Sequence, residues 1–335
     1  MKILKLKNFI EEFPNEEIPK GSAVTIGNFD GCHLAHKKLL TTTIRTAQEK
    51  GLASIAMTFD PHPRKFFKPS QSKDNIFTLE QKILSFKELG LDFAIIQNFN
   101  PIFSQIKHTH FYKQGLKEKL QSKVLVLGDN FYFGSQKQGN VTWLKSQGSK
   151  DDIEVKIAPL QKEKGLSINS TQIKIFLREG QVEQANLLLG HNFSLIGKIA
   201  EGQKLGRKIG YPTANFSAIE QLTPAKGVYY GYLKVLDKKV YSEATKVLST
   251  PKEAKLAVIN IGERPTVKSS NKQTVSVEAH IIGEKYSDQA LYEKNCVFYF
   301  KSKLRDEIKF PSLEVLKAQI AQDIKLATCL ASKKI

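Results

Sequence analysis

Two histidines three residues apart, His33 and His36, stand where a helical pattern begins in "AVTIGNFDGCHLAHKKLL", Ala23 to Leu40. Before them a short apolar run stops at Gly27, and Phe29, Asp30 and Gly31 follow. A helix N-terminus leaves backbone N–H groups unsatisfied and carries partial positive charge, so it attracts anions. Side chains three apart are neighbours on a helix, and two imidazoles placed so can grip a polyphosphate together. Gly27 and Gly31 let the backbone turn tightly and approach a ligand closely. The blander reading is that both histidines only cap and solvate a helix end, and for H-x-x-H taken alone it stands first.

A second cluster is "GQKLGRKIGYPTANF", Gly202 to Phe216. Gly202, Gly206 and Gly210 recur at intervals of four, in a stretch too polar and too near Pro212 to be a membrane helix-packing motif. They read as a loop that hugs a ligand. Thr213 and Asn215, two residues apart, put two hard oxygens on one side of an extended segment. Such oxygens are what Mg²⁺ takes beside substrate phosphates. Taken blind, an ordinary turn between strands is the competing reading.

The elements that must position these residues fall into two textures. From Gly21 to about Ala158, the runs "AVTIG", "ASIAMTF", "DFAIIQNF", "KVLVLG" and "IEVKIA" read as strands. Between them, "HKKLLTTTIRTAQEK", "LEQKILSFKEL" and "HFYKQGLKEKLQ" read as helices. Strand and helix in turn predict a parallel, doubly wound α/β sheet, which binds ligands at the carboxyl ends of its strands. Two short helical patterns, "STQIKIFLREG" and "VEQANLLLG", come next. Then "SLIGKIAEG", "GVYYGYLKVL", "KLAVINIG", "TVSVEAHIIG" and "NCVFYFKSKL" predict an antiparallel barrel, closed by a serine-capped helix in "SLEVLKAQIAQDIKLATCL". The texture changes between residues 185 and 192, which gives domains 1–185 and 186–335.

Composition narrows the classes. A chain of 335 residues with 41% hydrophobic residues is neither disordered nor fibrous and is long enough for two cores. Lysines and carboxylates interrupt the first residues where a signal peptide needs an apolar core, and no apolar run approaches a membrane span. Cys32, Cys296 and Cys329 are too scattered for a disulfide framework or a zinc site, which points to a reducing, cytoplasmic setting. The formal charge of +18 fits nucleic acid, phosphorylated small molecules or simply a lysine-rich surface. The lysines are spread along the whole chain, which favours the last.

The first phrase resembles the G-x-F-D-G-x-H-x-G-H signature of the nucleotidyltransferase superfamily in its flavin-adenylylating branch. "TFDPHP" (Thr58 to Pro63), "VLGDNFYFG" (Val126 to Gly134) and "INSTQIK" (Ile168 to Lys174) follow in that branch's order. The resemblance implies that Gly27, Phe29, Asp30, Gly31, His33 and His36 hold ATP, the two histidines stabilising charge on its α-phosphate. It also implies that Ser170, Thr171 and Lys174 hold the outer phosphates and that His62, Pro63 and Asn130 border the flavin. Two positions depart from the pattern: Ala35 stands for the usual glycine, and Lys174 for an arginine whose planar fork grips phosphate.

The second phrase closely resembles the G-x-x-x-G-R-x-x-G-x-P-T-A-N signature of riboflavin kinase. By that likeness, Gly202, Gly206, Arg207, Gly210, Pro212, Thr213, Asn215 and Arg305 meet ATP and flavin, and Thr213 and Asn215 hold Mg²⁺. Glu278 in "SVEAHII" is implied as general base for a primary alcohol attacking a γ-phosphate. "ALYEKN" (Ala290 to Asn295) departs from the family's flavin-covering segment.

Together the resemblances imply a Rossmann-like nucleotidyltransferase domain with a parallel sheet, followed by a riboflavin kinase antiparallel β-barrel with a C-terminal helix. They imply conversion of riboflavin to FMN with ATP, then of FMN to FAD with release of pyrophosphate. Riboflavin, FMN and ATP are the implied partners, without nucleic acid or membrane. Two alternatives stay open: a riboflavin kinase with a degenerate adenylyltransferase domain, and a basic nucleic-acid-binding protein.

Overall fold

The computed structural model describes residues 1–13, 21–67, 74–159, 162–201, 206, 209–236, 246–264, 274–283 and 291–333. The chain divides into two compact units, Met1–Ser72 with Gln81–Ile168, and Lys73–Glu80 with Asn169–Ile335.

The first unit is a six-stranded parallel sheet. Its strands are β1 (Lys2–Leu6), β2 (Ser22–Ile26), β3 (Ala53–Asp60), β4 (Phe93–Asn98), β5 (Ser122–Gly128) and β6 (Glu154–Ala158). Their order is β1-β4-β3-β2-β5-β6. Alternation divides each central strand between two cores. Val24, Ile55, Met57, Ile95, Leu125 and Leu127 pack with Phe103, Phe111 and Leu116. Ala23, Val124 and Val126 turn the other way, towards Ala47 of helix α1 (Leu34–Lys50). Both faces being covered explains why these strands read as continuous apolar runs. The chain leaves β2 on one side for β3 and β4 and returns on its other side as β5, so the topological switch point lies at β2. The Gly27 turn leaves the carboxyl end of that strand, where such sheets bind ligands.

Two elements of this unit differ from the sequence expectation. β1, with lysines breaking its apolar residues, pairs parallel to β4 at the sheet edge. An edge strand with exposed positions carries too weak an apolar signal to be read from "KILKL". "HFYKQGLKEKLQ" begins as a short α-turn, His108–His110, and continues as a π-helix over Phe111–Lys119. The wider winding puts Phe111, Tyr112, Gly115 and Leu116 on the buried side.

The second unit is built on a closed antiparallel barrel. Its strands are β7 (Ser194–Ala200), β8 (Ala214–Ser217), β9 (Gly227–Leu236), β10 (Lys255–Arg264), β11 (Thr274–Ile281) and β12 (Asn295–Arg305). They close in the order β7-β8-β11-β10-β9-β12. Helix α2 (Leu313–Ser332) is N-capped by Ser312, whose Oγ accepts the Val315 amide at 3.4 Å. A Ser cap contributes about 1 kcal/mol. Its Ala327 and Ile324 cover Tyr230, Val258 and Leu256 of the barrel. Two further helices, Ser170–Arg178 and Val182–Leu189, belong to this unit. The Asn186 side chain donates to the Phe300 carbonyl at 2.9 Å and accepts the Phe193 amide at 2.6 Å. The buried Gln221 amide donates to Ile76 and Ser194 carbonyls at 2.8 and 3.0 Å and accepts the Ile196 amide at 2.9 Å. So placed, it ties the segment around Ile76 to the barrel with its own polar atoms matched.

Candidate active sites

The turn after β2 is shaped by three residues with left-handed backbone. Phe29 has φ +48°, Gly31 φ +77° and Cys32 φ +41°. Gly31 adopts that conformation at no steric cost; Phe29 is held in it by burial, its ring edge-on to Phe86 at 5.4 Å and to His36 at 5.3 Å. His33 is the N-cap of α1, its Nδ1 accepting the His36 amide at 3.3 Å. The neutral ring therefore carries its proton on Nε2. His33 and His36 stack with centroids 3.6 Å apart and planes 14° from parallel. The helix periodicity that placed them on one side is realised as a face-to-face pair.

His36 Nδ1 is buried with no hydrogen-bond partner among the described residues, as are Asn28 Oδ1 and Thr25 Oγ1. Burial, then the neighbouring His33 and Lys82, hold the His36 imidazole well below its ordinary range. Lys82, itself buried, bonds Thr58 Oγ1 at 3.3 Å, and that hydroxyl donates to the Asn28 carbonyl at 3.2 Å. Sequence reading passed over Lys82; a lysine on the apolar side of "LEQKILSFKEL" was the available signal, since lysine is almost never fully buried without a partner.

The other residues expected at adenylyl transfer have these places. His62 is buried, its Nδ1 accepting the Arg64 amide at 3.0 Å as the chain enters the short helix Pro63–Phe67. Asn130 is exposed just beyond β5. Ser170 and Thr171 open the helix Ser170–Arg178, whose cap is Asn169, with Asn169 Oδ1 accepting the Gln172 amide at 2.9 Å. Lys174, buried in that helix, reaches Asp74 Oδ2 at 3.5 Å, and Arg178 binds the other oxygen of the same carboxylate. These three fall in the second unit, Ala35 and the two histidines in the first.

In the barrel, residues far apart in sequence come into one row. Asn215 pairs with Glu278, Glu278 with Asn260, Asn260 with Val228 and Val228 with Arg305, across β8, β11, β10, β9 and β12. Paired residues of antiparallel strands share a face, with Cβ atoms about 5 Å apart. Their chain neighbours Ala214, Val277, Ala279, Ile259 and Ile261 are buried on the opposite face. Ser276 Oγ donates to Glu278 Oε1 at 3.0 Å. Asn260 was not singled out from the sequence; an asparagine inside the strand run "AVINIG" was the signal, because that residue is depleted in strands.

Arg305 ends the row in a fork on Asp323 of α2. Its Nε lies 3.0 and 3.1 Å from the two carboxylate oxygens and Nη2 2.8 Å from one of them. Gln319 Nε2 adds a bond to the same carboxylate at 3.0 Å. The guanidinium expected at the ligand thus clamps the C-terminal helix to β12. Gly206 sits where a Cβ would run into the Tyr211 carbonyl, and the Tyr211 amide donates to the Gly206 carbonyl at 2.7 Å, closing the turn that leads to Pro212 and Thr213. Gly210 holds φ +89° within it. Gly202, Arg207 and Ala290 lie outside the described residues. Among the described residues no helix is long and apolar enough to cross a membrane.

Comparison with known proteins agrees with both halves. The FAD synthetase family matches residues 15–172 and the riboflavin kinase family residues 189–330. The bifunctional riboflavin kinase/FMN adenylyltransferase of Buchnera aphidicola subsp. Schizaphis graminum is 33% identical over 312 residues, covering 93% of this chain and 94% of the relative. That of Escherichia coli is 31% identical over 323 residues, 96% of each. A solved structure described as a macrolide-efflux protein from Streptococcus pneumoniae shares the fold, with TM-score 0.81 and 24% identity over 98% of this chain and 99% of that one. With identity above 30% over more than nine-tenths of its length, the chain belongs to the bifunctional riboflavin kinase/FMN adenylyltransferase family.

Proposed function

We propose that the Gly27–His36 turn carries adenylyl transfer, within residues 1–185, and that Thr213, Asn215 and Glu278 carry the kinase step, within residues 186–335. The enzyme converts riboflavin and ATP to FMN, and FMN and ATP to FAD and pyrophosphate. The register row carries the kinase assignment, because it sets the Glu278 carboxylate directly across from Asn215.

In the kinase step Glu278 takes the proton of the ribityl 5′-hydroxyl as its oxygen attacks the γ-phosphorus of ATP and ADP leaves. Ser276 orients the carboxylate through its hydroxyl. The side-chain oxygens of Thr213 and Asn215 are hard donors of the kind Mg²⁺ accepts and would hold it, leaving the Glu278 carboxylate as the base. Bound there with ATP, Mg²⁺ supplies charge neutralisation to the phosphates.

In adenylyl transfer the FMN phosphate attacks the α-phosphorus of ATP and pyrophosphate leaves. His33 offers its Nε2–H to the phosphate, and His36, whose pKa is held low, offers a hydrogen bond as a second neutral ring. By the family likeness, Ser170 and Thr171, which open their helix, and Lys174 are the residues assigned to the outer phosphates. His62, Pro63 and Asn130 border the flavin. Neither step needs a covalent enzyme intermediate, so positioning and charge stabilisation supply the acceleration. Three unpaired cysteines, Cys32 and Cys296 among them buried, accord with the cytoplasm.

The test is a chromatographic time course with riboflavin and MgATP, resolving FMN from FAD. FMN should appear first and FAD follow. Glu278→Gln should stop FMN formation yet still convert supplied FMN to FAD; equal loss of both activities overturns the assignment of Glu278.

A further inference from the structure

Strand β8 is short, and only two of its residues pair with β11: Ala214 with Ala279 and Asn215 with Glu278. The ladder ends there, so Thr213 and Pro212 lie beyond it. Pro212 has no N–H to extend the pairing, and its carbonyl would be left without a strand partner. A side chain takes that place: His280 Nδ1 lies 2.8 Å from the Pro212 oxygen. A carbonyl only accepts, so Nδ1 carries the proton. Residues two apart on a strand share a face, which puts His280 beside Glu278 on the same edge of the same strand. The Tyr211 ring meets the imidazole edge-on at 5.5 Å, and the Tyr211 amide is fastened to Gly206. The turn is therefore held on both sides of Pro212. Burial lowers the His280 pKa against the Pro212 carbonyl, which raises it, and the ring at neutral pH keeps a single N–H.

We propose that His280 is a positioning residue of the kinase step, its Nδ1–H on the Pro212 carbonyl holding Thr213 and Asn215 in register with Glu278. The proposal rests on the kinase reading above. Its physical content is that base and tether are mounted two residues apart on one strand, so the donor oxygens and the base move together. A misplacement of about 1 Å between such groups costs on the order of a hundredfold in rate.

Two variants of the full chain separate the hydrogen bond from the packing. His280→Phe keeps a ring against Tyr211 and removes the donor; His280→Asn restores a donor and gives up the ring. In the ligand-free protein, amide hydrogen exchange over Thr213–Phe216 should rise about tenfold in His280→Phe, as for one lost hydrogen bond, and return to within about threefold of wild type in His280→Asn. Calorimetric affinity for MgADP should follow the same order, and the KM for ATP should rise more than kcat falls. Conversion of supplied FMN to FAD should be unchanged in both. Wild-type exchange and MgADP affinity in His280→Phe, or equal impairment of the two variants, overturns the proposal. Full kinase activity in Glu278→Gln instead removes the kinase reading, while the exchange measurement still judges the tether.

Discussion

The two sites are built on opposite principles. The turn proposed for adenylyl transfer comes from ten consecutive residues, Gly27 to His36, and its geometry is local: left-handed backbone at Phe29 and Gly31, a histidine cap, and two stacked rings. The residues proposed for the kinase step include Asn215 and Glu278, from two strands that pairing register brings together, and Arg305, at the far end of the same row, clamps the C-terminal helix. A local site fails when one of its own side chains is lost. An assembled site fails also when a remote clamp is loosened.

The sharpest break of that contrast is His36→Ala. Losing an imidazole aimed at developing phosphate charge should lower FAD formation from FMN by about 10²–10³-fold and leave FMN formation from riboflavin intact. Retention of wild-type FAD synthesis would remove the histidine from the reaction. Next comes Arg305→Ala, which strands Asp323 in a buried position. Breaking such a pair costs about 3–5 kcal/mol, to be read as a lower urea midpoint of the barrel unit together with weaker kinase activity. Arg305→Lys should recover only part, since an ammonium lacks the fork. If Arg305→Ala keeps full stability, the barrel site does not depend on its remote clamp.

Acid provides a milder test. The folded state holds the His36 pKa below its value in the unfolded chain, so between those two values the unfolded chain binds more protons. Stability of the first unit should be full above the ordinary histidine range and fall as pH drops through it. Urea midpoints at several pH values should show a smaller acid loss in His36→Asn than in wild type. The smallest effect is expected from restoring the family residues. Ala35→Gly with Lys174→Arg should raise FAD formation by about threefold, the arginine acting on the chemical step and the glycine on ATP affinity. The arginine has to share Asp74 with Arg178, as Lys174 does now. A wild type without FAD synthesis that gains it in this double variant would mark the first site as degenerate.

Local chemistry was legible in advance. The alternation of strand and helix, the barrel texture after "VEQANLLLG", the serine cap at Ser312 and the histidine pair at a helix start all follow from periodicity and turn chemistry within short windows. β1 and the π-helix at Phe111–Lys119 were not, because an edge strand is half exposed and π winding is decided by which side chains the core accepts.

What the amino-acid order determines by itself is the set of reactive groups and their local backbone: Gly31 for a left-handed turn, His33 as cap, Thr213 and Asn215 two apart on an extended segment. Only the tertiary structure decided which groups meet. It placed Glu278 between Asn215 and Asn260, committed Arg305 to Asp323, buried Lys82 on Thr58, and set His280 on Pro212. The reason is physical: strand register and helix docking are fixed by matching whole buried faces, a sum over many residues, whereas a cap or a turn is fixed by the few residues that form it.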